Sequence, residues 1–410
     1  MIHLYRASLG LELLAPLNRS GGTVADLEAA FALAFEADHA VAFRYGRSGL
    51  WALLRALGIQ EGEVILPAYT CAVLAHAIVL SGNAPRFVDV TLRDHNLDLD
   101  QLPEAITPRT QAIIAVHTFG HPLNVDRLQE IVSAAEGRLG RKLWVIHDCA
   151  HAVGARWRGR MVCNAGDAAF FSLHHTKIMT AYFGGMVTTR HGDLWRKVGA
   201  VRQAKGVQRG PVRAGLRYLS FWAAAARQHD GVYRLAAELK RAFPWLARLR
   251  AKYHLADPIA MPPDYLDAMT DGEARIGLRQ LERYPELVAQ RQEGARDYAR
   301  LLRGIPGLIL PPLVDGATYS HYAVRHENPK VIGRLRQNRS IELRPWLTYS
   351  LPETPAYQPY AEGQSFPNAR TCSTDTIILP IHAGITHSQR RRVAGAIAAA
   401  VAAEDGQTSE

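Results

Sequence analysis

Cysteine is scarce in this chain. Four residues, Cys71, Cys149, Cys163 and Cys372, are scattered over 410 positions with no CxxC spacing. That pattern argues against a zinc ribbon or a disulfide framework, and for reduced thiols packed as small hydrophobes in the cytoplasm. Long apolar runs are missing as well: no stretch reaches about 18 uncharged apolar residues. The opening "MIHLYRASLGLELLAPLNRS" also lacks a basic head followed by a clean apolar run and a cleavage site. Neither a membrane span nor an export signal is therefore expected. No helix-turn-helix, zinc-finger or RNA-binding signature makes nucleic acid a partner, no metal site is expected, and no internal repeat or low-complexity linker interrupts the chain.

Apolar content and length are what the chain does have. Its 48% apolar and 21% charged residues are the composition of a folded protein. A length of 410 residues exceeds the roughly 250 to 300 at which a single core stops growing, so more than one domain is expected. Charge is unevenly placed: from Arg190 to Lys252 there are 15 Lys/Arg against 3 Asp/Glu, an excess larger than the +10 of the whole chain. Within that segment Leu216, Leu219, Phe221 and Trp222, then Val232, Leu235, Leu239, Phe243, Leu246 and Leu249, recur at helical spacing. The spacing predicts a basic amphipathic helical insertion over 190–257.

Residues 1–189 read differently. "TVADLEAAFALAFE" and "SGLWALLRALGI" carry helical spacing, while "EVILPAY", "APRFVDV", "QAIIAVHTF", "KLWVIHDCA", "DAAFFSL" and "GGMVTT" are short apolar runs bounded by polar, Gly or Pro residues. Strands alternating with helices predict an α/β domain whose mostly parallel sheet is covered on both faces. In such sheets ligands gather at the carboxyl ends of the strands, where Asp148 and Lys177 both fall. Residues 258–410 predict a long helix, "DGEARIGLRQLERYPELVAQRQEGARDYARLLRGI", and a smaller α+β domain with strands at "GLILPPL", "ATYSHYAVRH" and "SIELRPWL".

Three polar side chains precede Lys177 in a suggestive order: Asp148 at a strand end, His151 three residues on, and Ser172. Each has a task if the ligand is pyridoxal phosphate. A lysine amine condenses with the aldehyde, a carboxylate keeps the pyridine nitrogen protonated, and a hydroxyl holds the phosphate. Each also has a plainer reading, since a strand-end Asp is often a turn former, a lone Ser a loop hydroxyl and a lone Lys a solvated charge.

The stretch "HDCAHAVGARWRGRMVCNAGDAAFFSLHHTKIMTAYFGGMVTT" resembles the DegT/DnrJ/EryC1/StrS family of pyridoxal-phosphate sugar aminotransferases. "GLWALLRALGIQEGEVILPAYTCAVLAHAIVLSGNAPRFVDV", "TYSHYAV", "PETPAYQ" and "ILPIHAGIT" follow the same family's order. The resemblance implies a fold type I architecture, with a seven-stranded, mostly parallel sheet. It implies pyridoxal 5′-phosphate as cofactor, a homodimer, and transfer of an amino group from an amino acid, glutamate first, to a keto sugar. Such sugars are nucleotide-linked and serve surface polysaccharide or secondary metabolism. Lys177 then stands where the family's cofactor-binding lysine stands, Asp148 as partner of the pyridine nitrogen, His151 against the cofactor and Ser172 on its phosphate.

Several positions depart from the family. Arg47 and Ser48 replace the Thr and Ala of its phosphate loop, and Cys71 stands where an aromatic usually stacks on the ring, leaving Tyr69 or His151 to supply that contact. Leu266 and Ala268 replace an Asn and an Arg that reach the partner subunit's site. His147 replaces an acid before Asp148, and His175 replaces a proline before "TK". Two other readings stay open on these departures: a different pyridoxal-phosphate reaction on a sugar or lipid-linked substrate, and a non-catalytic scaffold or regulator. The basic insertion has three readings: a cap on the dimer and its active site, a grip for a diphosphate, or peripheral contact with an anionic inner-membrane surface through Trp222, Phe243 and Trp245.

Overall fold

The structure, a computed structural model, describes residues 2–4, 22–207, 210, 215, 217, 258–361 and 363–405. Most of the basic segment beyond its first helix, with Trp222, Phe243 and Trp245, lies outside the described residues. Helix α1 (Val24–Ala34) begins at Thr23, whose hydroxyl accepts from the Asp26 N–H while the Asp26 carboxylate accepts from Thr23 N–H. It is followed by β1 (His39–Phe43), α2 (Gly46–Ala56), β2 (Glu63–Pro67), α3 (Ala72–Leu80), β3 (Ala84–Val88), α4 (Leu102–Ala105), β4 (Thr110–Val116), α5 (Val125–Leu139) and β5 (Trp144–Asp148). A short hairpin, β6 (Arg156–Trp157) with β7 (Arg160–Met161), turns on Arg158 and Gly159, both with positive φ. Strands β8 (Ala168–Ser172) and β9 (Gly185–Thr189) and helix α6 (Gly192–Lys205) close this half.

Seven of these strands form one sheet in the order β1-β9-β8-β5-β4-β2-β3. Neighbours from β8 through β5, β4 and β2 to β3 run parallel, while β9 is antiparallel to both β8 and β1. The expected mostly parallel seven-stranded α/β sheet of fold type I is therefore the observed one. Alternation along the strands sends side chains to both faces. Val64 and Leu66 of β2 pack with Leu50, Leu53 and Ile78 of α2 and α3, whereas Ile65 between them packs with Leu128, Ile131 and Val132 of α5. Strand β1 was not among the runs expected from the sequence, because "HAVAF" is short and follows directly on a helix whose exit is made at Glu36 with positive φ.

Later in the chain, a helix spans Asp271–Leu301, capped by Thr270 and Glu273 and carrying Pro285 in its interior. A small antiparallel sheet, β10 (Leu308–Ile309), β11 (Tyr322–His326) and β12 (Thr376–Leu379), packs with the helix His387–Asp405. The segment "SIELRPWL" is not the strand expected from its sequence. It makes only isolated bridges, Ile341 with Ile2 and Arg344 with Ile378; Pro345 has no N–H to continue a ladder. No helix among the described residues is long and apolar enough to cross a membrane, and no group of three or more metal-ligating side chains occurs among them.

Where helix α2 begins is set by contact with β8 and β9. A Cβ on Gly185 would lie 2.3 Å from the carbonyl carbon of Tyr45 and 2.4 Å from the Gly46 nitrogen, and a Cβ on Gly46 would lie 2.9 Å from the Phe171 oxygen. These neighbours are backbone atoms that have no rotamer to yield. Gly185→Ala is therefore expected to lower unfolding stability by about 1 to 3 kcal/mol. Gly199→Ala, in α6 where a Cβ meets nothing within 4 Å, should raise it by up to about 1 kcal/mol. Urea unfolding measures both, and an unchanged midpoint for Gly185→Ala contradicts the close approach.

Candidate active site

The carboxyl ends of the parallel strands bring together residues far apart in sequence. Val116 closes β4, Asp148 closes β5 and Ser172 closes β8. All three line a cavity of about 560 Å³, together with Arg47 from the first turn of α2, Cys71 at the start of α3, and His151 and Lys177 from loops after β5 and β8. Six of the seven residues singled out in the sequence thus share one site.

Ser48 is the exception. One position after Arg47 on a helix, it points away from that cavity, and its hydroxyl donates to the Tyr265 carbonyl at 2.6 Å. It lines a second cavity, of about 460 Å³, with Leu266 and Ala268. The Leu266 carbonyl accepts from the Val207 N–H at 2.8 Å, and Leu266 is not in the first cavity. Tyr69 is also absent from the lining: it is fully buried, its ring edge-on to Trp346 at 5.3 Å.

Electrostatics in the cavity are set by burial. Asp148 is almost inaccessible, and loss of water pushes its carboxyl up to about 6, held back by the Ala150 N–H at 2.8 Å and by the charge of Lys177. Burial pushes the Lys177 amine down from its ordinary value, with Cys71 and Asp148 pulling it back up. Burial thus moves the two groups in opposite senses, the carboxyl up and the amine down, a pattern that marks sites of proton chemistry. Burial, then the Lys177 charge, holds the His151 imidazole well below its usual range, and the same causes act on His321.

Anion-binding features meet at the other end of the cavity. No side chain caps the N-terminus of α2, whose Tyr45 and Gly46 line the cavity beside Arg47 and Ser172. Backbone N–H groups and the helix dipole make such a terminus favourable for negative charge. Arg44, nearly inaccessible, is ion-paired with Asp264 at 3.2 Å and with Glu273, and Tyr45 donates from its hydroxyl to Asp264 at 2.9 Å. This buried network ties the start of α2 to the cap of the helix Asp271–Leu301.

The two unusual histidines have separate fates. His147 does not face the cavity; alternation along β5 puts it on the opposite side from Asp148. There its ring lies nearly parallel and side by side with that of His117, centroids 5.1 Å apart and nitrogens 3.0 Å apart. The Leu123 N–H donates to His117 Nδ1 at 2.9 Å, which leaves the His117 Nε2 proton to donate to His147 Nδ1. Burial drives the His147 ring down to about 4, so a neutral pair fills this place. In "HHTK", it is His174 that lines the cavity, while His175 packs its ring near Tyr182 and Phe183.

Sequence reasoning missed His174, His321, Arg344 and Trp346, which line the same cavity. His321 sits in "TYSHYAV" and the last two in "SIELRPWL". Both segments were read as strands of a separate domain, where a polar or aromatic residue signals nothing about a site.

The chain is 31% identical over 391 residues to the GDP-perosamine synthase of Caulobacter vibrioides, covering 93% of this chain and 91% of that one. It is 29% identical over 388 residues to the dTDP-3-amino-3,4,6-trideoxy-alpha-D-glucose transaminase of Micromonospora megalomicea, covering 92% and 89%. Among solved structures, the PLP form of a Streptococcus pneumoniae protein described as a sugar aminotransferase, Spr1654, superposes with a TM-score of 0.75 over 97% of this chain and 98% of that one, at 20% identity. The DegT/DnrJ/EryC1/StrS aminotransferase family profile matches residues 15–219 and 263–398. Matched over most of its length, the chain belongs to the DegT/DnrJ/EryC1/StrS aminotransferase family.

Proposed function

We propose that this chain is a pyridoxal 5′-phosphate-dependent aminotransferase that moves an amino group from an amino acid, glutamate first, to a nucleotide-linked keto sugar. The observation that carries the reading is the pairing of the Lys177 amine and the buried Asp148 carboxylate in one cavity whose far end is the uncapped start of α2. Its donor set suits the cofactor: an amine for the aldehyde, a carboxylate for the ring nitrogen, and a helix terminus with Arg47 and Ser172 for the phosphate. The close packing of Gly46 and Gly185 keeps that terminus clear of side chains. When bound, the cofactor supplies an electron sink for breaking bonds at the substrate's amine-bearing carbon.

Lys177 takes and returns a proton at that carbon, a task for which its downward shift increases the neutral fraction. Asp148 holds a positively charged ring N–H, and the added positive charge restores its carboxylate form against the effect of burial. His151 and His321, neutral through burial, pack around the site without opposing that charge. Arg47 offers a guanidinium to the phosphate. Both curated relatives are named for nucleotide-linked or deoxyamino sugar products, which supports surface polysaccharide or secondary-metabolite sugars as the setting. A cytoplasmic homodimer is part of the proposal, as is the reading of the 190–257 segment as its cap; of that segment, 190–219 lies within the family match and 220–257 outside it.

Lys177→Ala should abolish the yellow colour of the purified protein and its fixation by borohydride, and lower turnover of a keto sugar with glutamate by at least about 10²-fold. A coloured, borohydride-labelled Lys177→Ala protein would refute the assignment. A second outcome concerns the cofactor-free protein. Because the Asp148 carboxyl is raised from 3.8 to about 6, ionising it opposes folding, so its contribution is present below about pH 4 and lost as pH rises through 6. Asp148→Asn should therefore gain stability relative to the parent as pH rises from 5 to 8, by about 1.5 kcal/mol, while losing activity. Thermal unfolding at the two pH values measures it, and an equal difference at both would contradict a buried carboxyl.

A further inference from the structure

Trp346 stands out among the residues that line the cavity. It comes from the irregular segment after Ile341, is half-buried, and is the largest side chain in a lining that mixes polar and apolar groups. Its indole meets three other rings edge-on: Tyr69 at 5.3 Å, Phe119 at 5.0 Å and His151 at 5.2 Å. Those rings come from the loops after β2, β4 and β5, so three separate strand ends hold one side chain in place.

The supporting backbone is constrained too. Phe119 is held at φ +57°, a left-handed conformation that a bulky residue rarely adopts. The Trp346 segment is tied down on both sides: Ile378 N–H donates to the Arg344 carbonyl at 2.8 Å, the Ala72 N–H to the Tyr349 hydroxyl at 3.2 Å, and the Leu351 N–H to the Ala68 carbonyl at 2.9 Å. The last two bonds clasp it onto the β2–α3 loop on either side of Cys71. Cys71, which lines the cavity from that loop, has no ring with which to cover a flat ligand.

From this arrangement, and resting on the reading of the site as a pyridoxal-phosphate pocket, we propose that Trp346 is the aromatic wall of that pocket, a role that Cys71 is too small to fill. None of the three neighbouring rings lies parallel to the indole, so none of them stacks flat on it as a planar ligand would. The cofactor pocket is then completed by a residue nearly 170 positions after Lys177, so cofactor retention depends on how the later segment is seated. Trp346 acts here as a packing and positioning residue; the proton chemistry stays with Lys177.

Three variants test this: W346L, W346F and C71F/W346L, each compared with the parent holoenzyme by the dissociation constant for pyridoxal phosphate and by visible circular dichroism of the bound cofactor. W346L should weaken binding roughly tenfold or more and diminish the induced dichroism. W346F should stay within about threefold of the parent with an altered dichroic band, and the Phe at position 71 should recover most of the loss in the double variant. If W346L fails to fold, W346F decides through its dissociation constant and dichroic band. Parent-like dichroism in W346F, or a double variant no better than W346L, overturns the proposal. A parent protein that takes up no cofactor refutes the reading of the site instead, so the two failures are told apart.

Discussion

One backbone contact governs the geometry of the site. Gly185 at the start of β9 lies against Tyr45 and Gly46 so closely that no side chain fits between them. That contact places the first turn of α2 beside the end of β8, and therefore puts Arg47 and the helix terminus next to Ser172. Arg44 locks the arrangement from behind through Asp264 and Glu273. A buried charge with two carboxylate partners is costly to break, so the start of α2 is held by ion pairing on one side and by steric fit on the other.

Burial then does for chemistry what steric fit does for position. The strand ends that gather Asp148, His151 and Lys177 also strip them of water, raising the carboxyl and lowering the amine and imidazoles. A site of this kind opposes stability locally, because its ionised groups are less well solvated than in the unfolded chain. The surrounding apolar packing offsets the cost: Phe170 and Val116 line the same cavity while belonging to the core under α2 and α3. The His117–His147 pair resolves a similar problem differently, by keeping two imidazoles neutral and satisfying one through a backbone N–H.

Much of this was legible in the sequence, for physical reasons. Runs such as "EVILPAY" and "KLWVIHDCA" announce buried parallel strands because both faces need apolar cover, and the residue that ends such a run sits at the sheet's carboxyl edge. Asp148 could be placed at that edge on this ground, whereas its role and that of Ser172 were implied by the family resemblance. Ser48 could not be separated from Arg47, since one step along a helix turns a side chain by about 100°, and only the packing of α2 says which of the two faces the cavity. Strand β1 escaped notice because five residues at a sheet edge carry too little pattern. "SIELRPWL" misled because an apolar alternation can also belong to a segment held open by Pro345 and anchored ring by ring.

The sequence by itself determined the α/β alternation, the strand-end positions of Asp148 and Ser172, and the presence of one lysine shortly after them. Local periodicity and composition are properties of neighbouring residues, so they survive in one dimension. Tertiary structure alone decided that His174 faces the cavity while His175 does not, that His147 finds His117, and that Trp346 and His321 from the distant chain close the site. Those outcomes depend on which surfaces meet after the sheet has formed, and contacts between residues more than a hundred positions apart leave no periodic trace in the chain that makes them.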